Sequence, residues 1–158
     1  MAENFFLPQF NVYSQRGGCH IVSAKKQIGS ISSHYPISIS QENFGKMQNK
    51  YIGKVRALSS GNIYNIFDDG VSLNTIDESP EKSHQRRQIL ATVIIFNGEK
   101  GKSPEIEVFL LKEGVSYTSL LMNKRKEVGL NRLFSLKSNW ENISIFRTRR
   151  AEWISDSP

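Results

Sequence analysis

Six β-like runs separated by turn signals, all arriving before any helical periodicity, most constrain what this 158-residue chain can fold into. The clearest pair is Tyr51–Leu58 and Asn62–Phe67, joined by Ser59-Ser60-Gly61 and closed by Asp68-Asp69-Gly70. A short Gly-containing loop between β-like runs, followed by a second turn signal, is a hairpin signature. Gln88–Phe96 is almost wholly apolar, as a strand buried on both faces would be. Glu105–Leu111 instead alternates, with Ile106, Val108 and Leu110 on one side and Glu105 and Glu107 on the other. Cys19–Ala24 and Tyr35–Ser40 complete the set. From Tyr117 the period changes, and Leu120, Leu121, Val128, Leu130, Leu133, Phe134 and Leu136 predict one or two short helices. Gly129 interrupts them at a cost of about 1 kcal/mol. Strands first and helix late describe a mainly β, α+β domain. Residues 1–18, ending in Arg16-Gly17-Gly18, read as a loosely ordered lead-in, residues 19–158 as the domain, and Asp77–Gln85 as a polar linker.

Composition narrows the function classes. With 38% hydrophobic and 23% charged residues the chain has enough apolar content for a packed core. Its longest uncharged apolar run, Ile89–Phe96, is far below the roughly 20 residues that span a bilayer. The N-terminal MAENFFLPQF has neither a basic n-region nor a small-residue cleavage site, so no secretory signal is expected. The single Cys19 excludes an internal disulfide framework and fits a reducing, cytoplasmic setting. Lys plus Arg number 21 against 15 Asp plus Glu, a net charge of +6 that suits anionic partners without choosing among them.

Catalytic constellations are missing from the pattern. Neither G-x-S-x-G nor H-E-x-x-H occurs, and His20, His34 and His84 have no carboxylate at ligand spacing. Cys19 and His20 are adjacent, so on a strand they point to opposite faces. Gly101-Lys102-Ser103 resembles the end of a P-loop, but Phe96 stands where its first glycine belongs and Pro104 where its helix should start. No enzyme activity, cofactor or metal is therefore expected. Nucleic-acid binding has charge in its favour, but no recognition helix, zinc finger or aromatic stacking platform.

The pair Lys54 and Arg56 is more informative. Two residues apart on a strand they share a face, while Tyr51, Val55 and Ala57 face the other way. An ammonium beside a guanidinium combines a point charge with a bidentate fork, which suits phosphate. The same spacing also describes a solvated outer strand face. Further basic sets occur at Arg86-Arg87, Lys124-Arg125-Lys126 and Arg147 with Arg149-Arg150.

Tyr51-Ile52-Gly53-Lys54-Val55-Arg56, followed by Tyr64-Asn65-Ile66-Phe67-Asp68-Asp69-Gly70, resembles the tubby-domain stretch Y-[IV]-G-K-L-R-S-N and its T-K-F-T-[VI]-[YF]-D-[NR]-G strand and turn. Ser33-His34-Tyr35-Pro36-Ile37-Ser38-Ile39 is similar to S-N-Y-L-I-S-I, and Arg87-Gln88-Ile89-Leu90-Ala91 to R-Q-E-L-A. Glu141-Asn142-Ile143 through Trp153 and Ser155-Asp156 lies on E-N-L…V-W-N-S-D without a gap. Four islands in family order span Ser33 to Asp156. The resemblance implies a tubby-type antiparallel β-barrel and binding of phosphatidylinositol 4,5-bisphosphate at the inner face of the plasma membrane. It places Lys54 and Arg56 at the headgroup phosphates, Arg87 near the ligand, and His34 where the family has a headgroup-contacting asparagine. It also implies delivery of receptors to cilia and, in some members, nuclear roles.

Departures from the family pattern accompany these matches. The basic run ahead of S-N-Y is reduced to Lys25 and Lys26, and G-P-R-K-M becomes Ser103-Pro104-Glu105-Ile106-Glu107. His34 would donate to phosphate best when protonated, and an unperturbed imidazole titrates near about pH 6.5. The family domain continues past W-x-S-D through further strands and a central helix, so the chain is expected to represent roughly its N-terminal half. A partial barrel leaves strand edges and apolar lining open. That gives the alternative expectation: a non-catalytic interaction protein whose open edges dock onto a partner such as a ciliary assembly.

Overall fold

The computed structural model describes residues 7–28, 33–46, 50–58, 60–72, 86–96, 104–121 and 127–148. The linker Asp77–Gln85 with His84, Gly101-Lys102-Ser103, Lys124-Arg125-Lys126, Arg149-Arg150 and the Trp153-to-Asp156 match lie outside the described residues. The strands are β1 (Gln9–Tyr13), β2 (His20–Lys25), β3 (His34–Ser38), β4 (Tyr51–Ala57), β5 (Ile63–Phe67), β6 (Ile89–Phe96), β7 (Glu105–Leu111) and β8 (Ile143–Arg147). They form one eight-stranded sheet in sequence order, each strand antiparallel to its neighbours. The fold is mostly β, as expected, and the sheet is open between β1 and β8 among the described residues. Gln9–Tyr13, within the expected lead-in, pairs with β2, and every residue of this edge strand is exposed.

Register sorts the side chains into two faces. One face carries Phe67, Ile89, Ile94, Phe109 and Ile143, packed beneath Tyr117, Leu121, Leu130 and Leu133. The covering residues come from the segment of altered period, which forms a 3₁₀ turn (Tyr117–Leu120), a short helix α1 (Leu130–Phe134) and a second 3₁₀ turn (Lys137–Asn139). Gly129 is the N-cap of α1, so the break expected there becomes a helix start. Tyr117, Ile89 and Leu130 are fully buried, each worth about 2 kcal/mol in transfer from water. The opposite face carries Tyr35, Ile37, Val55, Tyr64, Ile66, Val93, Val108 and Phe146.

Buried polar groups tie the cover to the sheet. Leu130 N donates to Thr92 Oγ1 at 2.8 Å, and that hydroxyl donates to Asn65 Oδ1 at 2.8 Å. Tyr117 OH donates to Val128 O at 2.8 Å and accepts from Val128 N at 2.7 Å. Burial, reinforced by the nearby Glu127 charge, pushes the Tyr117 hydroxyl up to about 12. The phenol therefore stays a neutral clamp, with both its donor and its acceptor capacity used.

Candidate functional site

The site is built where β3, β4 and β5 run beside the segment that enters β6. Register aligns Pro36, Lys54 and Phe67 in one row and His34, Arg56 and Asn65 in the next. Lys54 and Arg56 do share a face, but their surroundings differ. Arg56 is exposed, whereas Lys54 is only 7% exposed, so the solvated-face reading does not describe Lys54. Lys54 Nζ lies 5.3 Å from the centroid of the Phe67 ring, and the guanidinium carbon of Arg87 lies 4.6 Å from the same centroid. A phenyl ring thus holds two cations on its negative π-system.

The expected alternation fails at Tyr51. A bulge between Ile37 and Ser38 pairs Gly53 with Ile37 but Tyr51 with Ser38, omitting Ile52. The slip moves Tyr51 onto the Lys54 side of the sheet, correcting the expectation that it faces away. There Tyr51 is buried, and Lys46 Nζ sits 5.9 Å from its ring centroid. Burial raises the Tyr51 phenol above its ordinary value, opposed by the Arg87 charge.

Two glycines permit the close approach. Gly53 has φ +156°, and a Cβ there would fall 2.2 Å from the carbonyl oxygen of Phe67. A Cβ on Gly70 would fall 2.6 Å from both N and Cα of Arg87. The Asp68-Asp69-Gly70 turn, which closes the hairpin, therefore also seats Arg87. Asp68 Oδ1 accepts from Gly70 N at 3.1 Å and Gln88 N at 2.9 Å, while Arg87 N donates to Val71 O at 2.8 Å.

Arg87 is 4% exposed and paired. Its Nε donates to Glu127 Oε1 at 3.1 Å, and its Nη2 donates to the same oxygen and to Ser72 Oγ at 3.4 Å. Lys54 differs. Among the described residues no carboxylate lies within ion-pair distance of its Nζ. Burial, then the charges of Arg87, Lys46 and Arg56, hold the Lys54 ammonium down at about 8 against the partial support of Glu127.

His34 is half-buried, and its Nε2 is buried without a hydrogen-bond partner among the described residues. Burial first, then Lys54, Arg56, Lys46 and Arg87, lower its pKa below 6.5. The imidazole is thus neutral at pH 7, offering one donor or one acceptor rather than a second positive charge. All four residues singled out in the sequence converge here: His34, Lys54, Arg56 and Arg87. Glu127, Phe67, Tyr51 and Lys46 were not anticipated. Among the other basic residues, Arg147 donates to Glu107 at 2.6 Å on the exposed β7–β8 pair.

The eight antiparallel strands of one open sheet are consistent with part of a β-barrel. The Tub family model matches residues 2–157, and the chain belongs to that family. No curated protein matches the chain. Among the described residues no helix is long and apolar enough to cross a membrane, and no group of His, Cys, Asp and Glu could hold a metal ion.

Proposed function

We propose that this chain is a non-catalytic phosphoinositide-binding module that takes the headgroup of phosphatidylinositol 4,5-bisphosphate at the cytoplasmic face of the plasma membrane. Ciliary protein trafficking, the role implied by the family, would build on that attachment. The observation that carries the reading is Lys54, a 7%-exposed ammonium without a carboxylate partner among the described residues and flanked by Arg56 and Arg87. A buried charge without a counter-ion is costly, and an arriving phosphate supplies the counter-ion. Arg56, exposed on the same face, and neutral His34 across the register from it would add a fork and a single hydrogen bond. Basic residues near an anionic leaflet contribute about 1 kcal/mol each, so the shaped buried contact at Lys54 must provide much of the selectivity.

The test is sedimentation with vesicles containing or lacking phosphatidylinositol 4,5-bisphosphate, beside soluble inositol 1,4,5-trisphosphate as competitor. Lipid-dependent pelleting, lost in a Lys54→Ala/Arg56→Ala variant and competed by the soluble headgroup, is expected. Equal pelleting of the variant overturns the proposal.

A second reading, docking onto a protein partner through an open sheet edge, is favoured by β1. Phe10, Val12 and Tyr13 on that edge strand are each about half exposed. A monomeric chain that melts cooperatively and does not associate through β1 would count against it.

A further inference from the structure

We propose that Glu127 is a built-in counter-anion that occupies the phosphate-facing fork of Arg87, so that a ligand engages Arg87 only by exchanging with this carboxylate. The inference rests on the phosphate-binding reading and assigns the residue that sets its selectivity. Arg87 offers its Nε–Nη2 edge, the side-on geometry that carboxylates and phosphates use alike. Glu127 Oε1 accepts from both nitrogens of that edge, and Ser72 Oγ accepts from Nη2 as well.

Glu127 is held in place by its neighbours. Val128 is clamped through both N and O to the buried Tyr117 hydroxyl, and Leu130 N is tied to Thr92. Chain placement, rather than the reach of a surface side chain, therefore brings the carboxylate to Arg87. The side chain itself keeps 20% exposure, leaving it a route out towards solvent.

Two consequences follow. The carboxylate neutralises a 4%-exposed guanidinium, so Arg87 stays paired without a ligand. It also cancels one positive charge of the cluster, whereas Lys54 has no carboxylate within ion-pair distance among the described residues. A ligand must then carry enough charge to compete with a fixed carboxylate. A multiply phosphorylated headgroup meets that condition better than a monophosphate or a singly charged lipid, so Glu127 acts as a specificity-determining residue by repulsion of weak anions.

The experiment compares wild type with Glu127→Gln, whose carboxamide oxygen still accepts from Arg87 while the charge is removed. Binding is measured to inositol 1,4,5-trisphosphate, inositol monophosphate and vesicles of phosphatidylserine alone. The neutral variant is expected to bind the trisphosphate about tenfold more tightly and to gain measurable affinity for the two weaker anions. Unchanged or weaker trisphosphate binding in a folded Glu127→Gln overturns the inference while leaving the phosphate reading intact. If neither protein binds any of the probes, the phosphate reading fails and the inference falls with it. Glu127→Ala provides a second neutral variant. If both neutral variants fail to fold even with trisphosphate present, Glu127 is an obligatory structural counter-ion, and the exchange is refuted.

Discussion

Replacing Lys54 by methionine should stabilise the fold while abolishing phosphate binding. In the unfolded chain this lysine titrates near 10.5, and in the fold burial and the neighbouring cations hold it at about 8. At about 1.4 kcal/mol per tenfold change in proton affinity, keeping it charged at pH 7 costs the fold about 3 kcal/mol. The ammonium over the Phe67 ring returns about 1 kcal/mol of that. Methionine fills a similar volume without charge. Lys54→Met should therefore gain ~2 kcal/mol at pH 7, or about 6 °C in melting temperature for a chain of this size. Chemical and thermal unfolding at several pH values measure the effect.

The sign of the pH dependence follows from linkage. Between about 8 and 10.5 the unfolded state binds the Lys54 proton and the folded state releases it, so this group adds stability as pH rises through that window. The advantage of the methionine variant should accordingly be full below pH 8 and shrink towards zero by pH 10.5. Other titrating groups are common to both proteins and cancel in the comparison. A methionine variant less stable than wild type at pH 7, or an advantage that does not change with pH, would refute the reasoning.

Further outcomes follow from the same contacts. Gly70→Ala places a methyl against the Arg87 backbone and should cost at least ~2 kcal/mol while lowering trisphosphate affinity, read by denaturation and calorimetry. Leu130→Ala removes a fully buried side chain from the cover of the core and should cost about 3 kcal/mol in urea melts, leaving residual ligand affinity near that of wild type where the protein remains folded. Thr92→Val breaks the Leu130–Thr92–Asn65 relay and should cost ~2 kcal/mol by leaving buried polar groups unpaired, again measured by denaturation.

The sequence and the structure agree best where turn chemistry was explicit. The strands around Ser59-Ser60-Gly61 and Asp68-Asp69-Gly70 formed within a residue or two of the expected limits, because glycine and aspartate mark reversals independently of tertiary context. β1 and β8 went unread. Each is only five residues long, and an all-exposed β1 gives no burial signal to read. Tyr51 was assigned to the wrong face because a bulge leaves no mark in simple alternation. Lys54, Arg56, His34 and Arg87 could be nominated from spacing and family resemblance. The difference that matters chemically could not, since Glu127, which pairs Arg87 but not Lys54, is 40 residues from its partner. Helical periodicity over Leu120–Leu136 located the cover of the core but overstated its regularity. Among the described residues helical structure there is confined to single short turns, with Gly129 placed at a helix start.

The central claim is that Lys54 is buried in wait for a phosphate, and its own titration tests that claim most directly. Nitrogen-detected NMR of the lysine Nζ groups, with Lys54 assigned through Lys54→Met, would follow the group with and without inositol 1,4,5-trisphosphate. The Lys54 pKa should stand near 8 in the free protein and rise by more than one pH unit once the trisphosphate is bound. A Lys54 that titrates at the same pH with and without saturating ligand would contradict the account, because the phosphate would then be held elsewhere.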